Sequence, residues 1–164
     1  MTELELQAQV ADYIRLRYPG VIFHSDFGSG IKLTMGQAIK QKRLNGGRRA
    51  WPDMFIAEPV KPEASCRELT EEERREVEAK LGDLDGISCV KYLQSYYGLF
   101  IELKKEGTRI FKKDGTLVAD EHIREQFDML EDLRRRGYAA EFGIGFENTK
   151  KIIDDYLGGE LCDR

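Results

Sequence analysis

Long hydrophobic runs are missing from this sequence, and no segment approaches the roughly 18–20 apolar residues that a membrane helix requires. The N-terminal stretch MTELELQAQ does not place an apolar region after a basic one, so we expect no signal peptide. Cysteine is also scarce: Cys66, Cys89 and Cys162 are widely spaced, odd in number and match no zinc-binding pattern. We therefore expect a cytoplasmic protein with reduced thiols and no attachment to a membrane.

Acidic residues are absent from residues 27–52, although the whole chain carries a net charge of −4. That segment contains six basic residues among several glycines: Lys32, Lys40, Lys42, Arg43, Arg48 and Arg49. Residues 58–85 hold ten acids and five bases, a net charge of −5, so the rest of the chain sums to +1. The acidity is therefore local. We expect the basic segment to face phosphates, with an ordinary solvated surface as the alternative.

The 164 residues, 41% of them apolar, fit one globular domain over residues 1–164. Thr2 and Glu5 form a capping box that begins a helix ending near Tyr18. The other predicted elements are strands at 21–25, 53–57, 97–105 and 138–145, helices at 121–137 and 146–159, a helical segment within 36–44 and a turn at 114–115.

Residues 58–95 form an acidic insert between the second and third predicted strands, and a helix capped by Thr70 and Glu73 lies within it. Without the insert, the major elements follow the order α-β-β-β-α-β-α. This order predicts an α/β fold in which a central mixed sheet is flanked by helices. We expect residues 158–164 to be a loose tail.

Two carboxylates and an ammonium group stand at strand ends. WPDMFIAE places Asp53 at the start of the second strand, and GLFIELKKEG places Glu102 and Lys104 at the end of the third. Residues two apart on a strand point the same way, and antiparallel pairing of these strands would bring all three to one sheet edge. Two adjacent carboxylates repel each other unless a cation lies between them. A divalent ion such as Mg²⁺ suits this arrangement.

These residues resemble the motif of the PD-(D/E)xK nuclease superfamily, with Asp53 after Pro52 and then Glu-Leu-Lys at 102–104. Three further segments narrow the resemblance: TELELQAQV in the first helix, GGRRAWPDM before the aspartate, and EQFDMLEDLRRRGYAAEFG near the end. Together they are similar to a stand-alone VRR-NUC domain of the bacteriophage type. The resemblance covers residues 2–157 apart from the insert, which is longer than the hairpin expected there.

The resemblance implies a restriction-endonuclease-like αβββαβ core and a nuclease that hydrolyses DNA phosphodiester bonds with Mg²⁺ or Mn²⁺. By this resemblance Asp53, Glu102 and the carbonyl of Leu103 are metal ligands, and Lys104 is the base that positions water. Gln126 matches the family's helix glutamine, which orients water or a phosphate. The first-helix segment resembles the family's Glu-x-x-x-Gln feature, and for its acid we expect Glu3, which shares a face with the core side of the helix, with Gln7 one turn further on. Glu5 remains the alternative.

The resemblance also implies DNA as the partner, a homodimer, no organic cofactor, and cutting of branched, flap or junction DNA in a bacterial or phage-infected cell. The expected DNA-binding residues are Lys40, Lys42, Arg43, Arg48, Arg49 and Lys105. Two other functions remain open: a catalytically silent nucleic-acid-binding or assembly module with the same fold, and a nuclease directed at RNA.

Several aromatic and histidine residues keep two interpretations. Trp51, Tyr96 and Tyr97 could stack on bases or could pack at the edge of the core. His24 lies on the first strand and could act as a general base, whereas we expect His122 to be an ordinary residue at a helix start.

Overall fold

The computed structural model describes residues 1–26, 34–46, 50–60, 67–68, 70–72, 75, 89–90 and 95–158. Its helices are α1 (Glu3–Arg17), α2 (Met35–Leu44), α3 (Glu121–Arg134) and α4 (Gly145–Leu157). Its strands are β1 (Phe23–Ser25), β2 (Met54–Ile56), β3 (Arg67–Glu68), β4 (Cys89–Val90), β5 (Leu99–Lys104) and β6 (Ala139–Ile144). Outside the insert, the predicted helices and main strands are therefore confirmed, with ends that shift by a few residues.

The central sheet has the strand order β1-β2-β5-β6. β1 pairs antiparallel with β2, β2 pairs antiparallel with β5, and β5 pairs parallel with β6. The parallel pair is joined by α3, as a parallel connection requires a crossover segment. The predicted mixed sheet flanked by helices is confirmed.

Helices α1 and α4 cover one face of this sheet. Leu6, Val10 and Ile14 follow helical spacing on α1 and are fully buried against the sheet. On α4, Ile153 and Tyr156 join the same cluster. The sheet contributes alternate residues of its two central strands to this face: Met54, Ile56, Leu99, Ile101 and Leu103.

Helix α3 packs on the opposite face through Met129, Leu130 and Leu133, which contact Ala140 of β6. The residues of β5 that alternate with the first face, Phe100, Glu102 and Lys104, therefore point toward α3. Glu102 and Lys104 thus lie on the α3 face of the sheet, which the apolar residues of α3 cover only in part.

Local end signals account for the helix boundaries. The Thr2 and Glu5 capping box is present at α1, and Thr34 with Gln37 forms a second one that begins α2. Gly137 adopts a φ of 86° just after α3, a conformation that favours glycine and turns the chain into β6. The predicted turn at 114–115 is confirmed by Gly115, with a φ of 79°, between the bridged residues Phe111 and Leu117.

The insert differs from its prediction in one respect. β3 and β4 pair antiparallel within it, a feature that the sequence does not predict because each strand has only two residues. Of the predicted insert helix, Glu71, Glu72 and Arg75 are helical, while Glu73 and most of that helix lie outside the described residues. The predicted tail beyond Gly158 also lies outside them. Over the part of the chain that the structure describes, no helix combines the length and apolarity that crossing a membrane requires.

Candidate active site between strands β2 and β5

The antiparallel register of β2 and β5 brings two distant acids together. Met54 lies opposite Ile101, so Asp53, one residue before β2, lies beside Glu102. The Asp53 side chain accepts a hydrogen bond from the backbone N–H of Leu103 at 2.9 Å. Asp53 is 8% exposed and Glu102 is 3% exposed. The placement of these acids at one sheet edge is therefore confirmed, and their roles as ligands stay a prediction.

Lys104 forms an ion pair with Glu102, and the pair is buried. The Lys104 Nζ atom lies 2.9 Å from Glu102 Oε1, and Lys104 is only 7% exposed. An exposed ion pair of this kind would add about 0–1 kcal/mol to stability and would need no special site. Burial changes this balance, because removing both charges from water carries a cost of several kcal/mol that the pair only partly offsets. Such a costly arrangement is typical of functional sites.

The environment of Glu102 raises its pKa to about 8. Burial is the largest cause, and the neighbouring charge of Asp53 raises the pKa further. Lys104 acts in the opposite direction through its charge and its hydrogen bond, while Glu3 adds a smaller upward effect. In the metal-free protein the carboxyl group of Glu102 therefore holds a proton near neutral pH while Lys104 donates a hydrogen bond to it. A cation placed beside Glu102 would release that proton and complete the ion pair with Lys104.

Gln126 reaches the site from α3. Its side-chain amide, only 4% exposed, donates a short hydrogen bond to Glu102 Oε1. The same nitrogen lies 3.0 Å from Nε2 of His122, which accepts this bond when that ring nitrogen carries no proton. Gln126 Oε1 is buried and has no hydrogen-bond partner among the described residues. A buried amide oxygen without a donor is costly, and it fits a site that receives an ordered water or a ligand.

His122 is a site neighbour that sequence reasoning missed. We expected an ordinary residue at a helix start, yet its ring contacts the amide that holds Glu102. Residues four apart on a helix are neighbours on its surface, so the spacing between His122 and Gln126 was the available signal.

Gln7 holds the other side of the site. Its Nε2 atom lies 2.7 Å from Ser25 Oγ, 2.6 Å from the carbonyl oxygen of Asp26 and 3.3 Å from that of Asp53. The backbone N–H of Asp26 also donates to the Asp53 carbonyl at 2.8 Å. This buried amide therefore joins α1, the end of β1 and the backbone that carries Asp53. Ser25 was not anticipated, since a serine at a strand end carries no distinctive pattern.

The two candidate acids of α1 have different surroundings. Glu5 hydrogen-bonds the backbone N–H of Thr2 at 2.7 Å, and this cap lowers its pKa. Glu3 is exposed, and its charge acts on Glu102. The structure thus assigns capping to Glu5. A role for Glu3 in the site stays a prediction, since its side chain is exposed rather than on the buried side of α1.

The expected DNA-binding residues that the structure describes are all exposed. Lys40, Lys42 and Arg43 lie on α2, which has no buried residue, and Lys105 directly follows β5. Arg48 and Arg49 lie outside the described residues. His24 is exposed on β1 rather than buried with the acids.

The residues present fit a divalent cation bound by few protein ligands. No cluster of three histidine, cysteine, aspartate or glutamate side chains suited to a metal occurs within the described ranges. A cage built from side chains alone is therefore not indicated there. Magnesium commonly takes one or two carboxylates and keeps several waters. Two adjacent carboxylates and the free oxygen of Gln126 provide ligands and a water acceptor of this kind.

Comparison with known proteins supports the fold. A solved structure described as "VRR_NUC domain protein" is 21% identical and superposes with a TM-score of 0.52. The match covers 96% of this chain and 89% of that chain. No protein-family model and no curated protein matches the sequence. The chain therefore has the fold of this VRR_NUC domain protein, which confirms the restriction-endonuclease-like architecture expected from the motifs.

Proposed function

We propose that the protein is a nuclease of the VRR-NUC type, which hydrolyses DNA phosphodiester bonds and depends on Mg²⁺ or Mn²⁺. One observation carries this proposal: Asp53 and Glu102 lie side by side and buried, with Lys104 bonded to Glu102, in the fold of a VRR_NUC domain protein. Two buried acids that repel each other, and so raise the pKa of Glu102, do not stabilise a fold. A catalytic cation bound by both acids would account for their placement.

Asp53, Glu102 and the carbonyl of Leu103 would hold the ion. Lys104 and Gln126 both bond to Oε1 of Glu102, which leaves Oε2 for the ion. When bound, the ion lowers the pKa of a coordinated water and stabilises negative charge on the phosphoryl group. Lys104 and Gln126 also hold the Glu102 carboxylate in a fixed orientation.

Water activation falls to Lys104 and Gln126 in this proposal. The Lys104 ammonium stands beside the acids and can orient the attacking water through its remaining N–H groups. The unpaired Oε1 of Gln126 can accept a hydrogen bond from the same water. Attack of this water on the phosphorus would form one P–O bond and break the bond to the 3′ oxygen. The water gives up a proton to the solvent and the departing 3′ oxygen takes one up, which leaves a 3′-hydroxyl and a 5′-phosphate, the polarity that the resemblance implies.

Substrate binding would use the exposed cations of α2, Lys40, Lys42 and Arg43, together with Lys105. Arg48 and Arg49 continue the same basic segment in the sequence. We propose that the preferred substrates are branched, flap or junction DNA and that a homodimer places two sites on opposing strands. Phosphate contacts of this kind position the backbone without reading base sequence.

A cleavage panel tests the proposal. The full chain is incubated with labelled single-stranded, duplex, flap and four-way DNA, and with a matched RNA, in Mg²⁺, Mn²⁺ or EDTA. We expect cleavage in the metal-containing samples and none in EDTA. Asp53→Asn should abolish cleavage, whereas Asp128→Asn, which removes an exposed charge on α3, should leave it unchanged.

The same panel separates the alternatives. Preferred cleavage of RNA would replace DNA with RNA as the substrate. Binding without cleavage of any substrate, in either metal, would identify a catalytically silent module and refute the nuclease.

A further inference from the structure

Five aromatic residues form a continuous row on the sheet face that carries Glu102. We call this the aromatic row: Trp51, Phe100, Phe55, Tyr138 and Tyr97. Phe55 and Phe100 stack with their ring centres 4.4 Å apart. Tyr138 meets Phe100 edge-on at 5.2 Å, and Tyr97 meets Tyr138 at 5.9 Å. Trp51 closes the other end at 6.3 Å from Phe100.

The row is exposed at both ends, while Phe100 and Tyr138 also pack against the apolar cluster of α3. Tyr97 is 67% exposed and Trp51 is 40% exposed, while the three rings between them are half-buried. Aromatic rings left in contact with water forgo much of the free energy that their burial would provide. Exposed rings in a connected group are therefore typical of a binding surface.

Two glycines make room for these rings. A Cβ atom at position 98 would lie 2.6 Å from the ring of Phe55, and one at position 137 would lie 2.8 Å from the ring of Tyr97. The rings thus lie directly against the backbone at Gly98 and Gly137. Backbone contact on one side fixes their orientation, so little side-chain entropy remains to be lost when a ligand stacks on them.

The aromatic row is continuous with the candidate active site. Phe100 precedes Glu102 by two residues on β5, so their side chains share a face at a spacing of about 7 Å. Trp51 precedes Asp53 by two residues. The indole Nε1 of Trp51 donates to the carbonyl of Asn45, at the end of α2, which carries three exposed cations. Phe100 and Trp51 therefore connect the row to the paired acids, and the Trp51 hydrogen bond connects it to the end of a cationic helix.

We propose that the aromatic row binds unpaired bases of a single-stranded segment next to the phosphate that is cut, with Trp51 as the principal stacking residue. This inference rests on the proposed nuclease function and names its substrate class. Aromatic rings stack on any base, while cations bind the connecting phosphates. Paired bases inside a duplex already stack on their neighbours and present only edges and backbone. The row therefore selects DNA that has unpaired nucleotides at the cleavage point.

Trp51 is the only tryptophan in the chain, so intrinsic fluorescence reports on it directly. The full-length protein in EDTA, which prevents cleavage, is titrated with a thymidine oligonucleotide of about a dozen residues. Separate control samples contain either a duplex of the same length or an abasic strand with the same number of phosphates. We expect the single strand to quench the fluorescence at concentrations at which duplex and abasic strand have little effect.

Substitutions separate stacking from phosphate binding. Trp51→Ala should weaken binding of a labelled single strand by about tenfold in fluorescence anisotropy, since one stacked base contributes a free energy of that order. Trp51→Phe should retain most of the affinity, because it keeps a ring. Leu16→Ala removes an exposed apolar side chain from α1 and should leave binding unchanged.

Equal quenching by the abasic strand, or unchanged affinity in Trp51→Ala, would overturn the inference. So would a protein dimer that dissociates on Trp51→Ala, because the row would then be an interface between two copies of the chain. Stacking without cleavage in Mg²⁺ or Mn²⁺ would leave this surface intact and refute the nuclease instead. Cleavage that Trp51→Ala leaves unchanged would instead support the nuclease function and overturn base stacking by the aromatic row.

Discussion

Glu102 makes the metal-free protein less stable as the pH rises. Its carboxyl group titrates near the ordinary value of 4.5 in the unfolded chain and at about 8 in the folded protein. Between these two values the folded state retains a proton that the unfolded state has released, so the free energy of unfolding falls with increasing pH. At about 1.36 kcal/mol for each pH unit, the whole loss amounts to about 5 kcal/mol and is complete above pH 8.

Glu102→Gln removes this titration while keeping the shape of the side chain. Urea unfolding in EDTA at pH 5.5 and pH 8.5 should show that the wild type loses about 3 kcal/mol more stability than the variant between these two values. Because both proteins share every other titrating group, the difference between them isolates Glu102. Equal pH dependence in the two proteins would refute the raised pKa.

Metal binding should release the same proton. With a pKa of about 8, Glu102 is about 0.9 protonated at pH 7 and about 0.1 protonated at pH 9. Calorimetric titration with Mn²⁺, repeated in buffers of different ionisation enthalpy, measures the protons released for each ion bound. We expect about 0.9 at pH 7 and about 0.1 at pH 9. Tight binding at pH 7 without proton release would refute either the raised pKa of Glu102 or its role as a ligand, and the urea comparison with Glu102→Gln would decide between them.

Three further predictions concern individual residues. Asp53→Asn should abolish cleavage, but it keeps an oxygen that accepts the Leu103 N–H of β5, so the free energy of unfolding should change by less than about 1 kcal/mol. Asp53→Ala loses this hydrogen bond as well and should lower the free energy of unfolding by a further 1–3 kcal/mol or so. Cleavage at the wild-type rate in either variant would exclude the ligand role. Lys104→Ala should slow the single-turnover rate while calorimetry at pH 9 still detects Mn²⁺ binding; loss of that binding would contradict a role in positioning water. Gly137→Ala should destabilise the fold by about 2 kcal/mol or more in urea, because a positive φ and the ring of Tyr97 both oppose a Cβ atom. Gly115→Ala, with a similar φ and open space, serves as its control, and an equal loss in both variants would exclude the contact with Tyr97.

Local signals were sufficient to predict most of the fold. The capping box at Thr2, the apolar spacing of α1 and the glycine after α3 are short-range features, and each specifies its element with little help from the rest of the chain. The juxtaposition of Asp53 with Glu102 followed from one further assumption, the antiparallel pairing of two strands. The structure contains that pairing.

Other features depend on packing that the sequence does not encode locally. The resemblance indicated Gln7, but its partner Ser25 did not follow from the sequence, because the two residues meet only where α1 lies across the end of β1. The position of His122 beside the site could be predicted only by knowing that Gln126, four residues later, points toward Glu102. The pairing of β3 with β4 lacks any alternation of apolar and polar residues long enough to recognise.

The antiparallel pairing of β2 with β5 makes the candidate site depend on a contact between distant parts of the chain. β5, α3, β6 and α4 are consecutive in the chain and contact one another, whereas β2 reaches β5 only across residues 57–98. Asp53 and Glu102 therefore come together only when β2 pairs with β5. An ion bound by the two acids would stabilise that strand pairing, so metal binding and completion of the fold would be coupled.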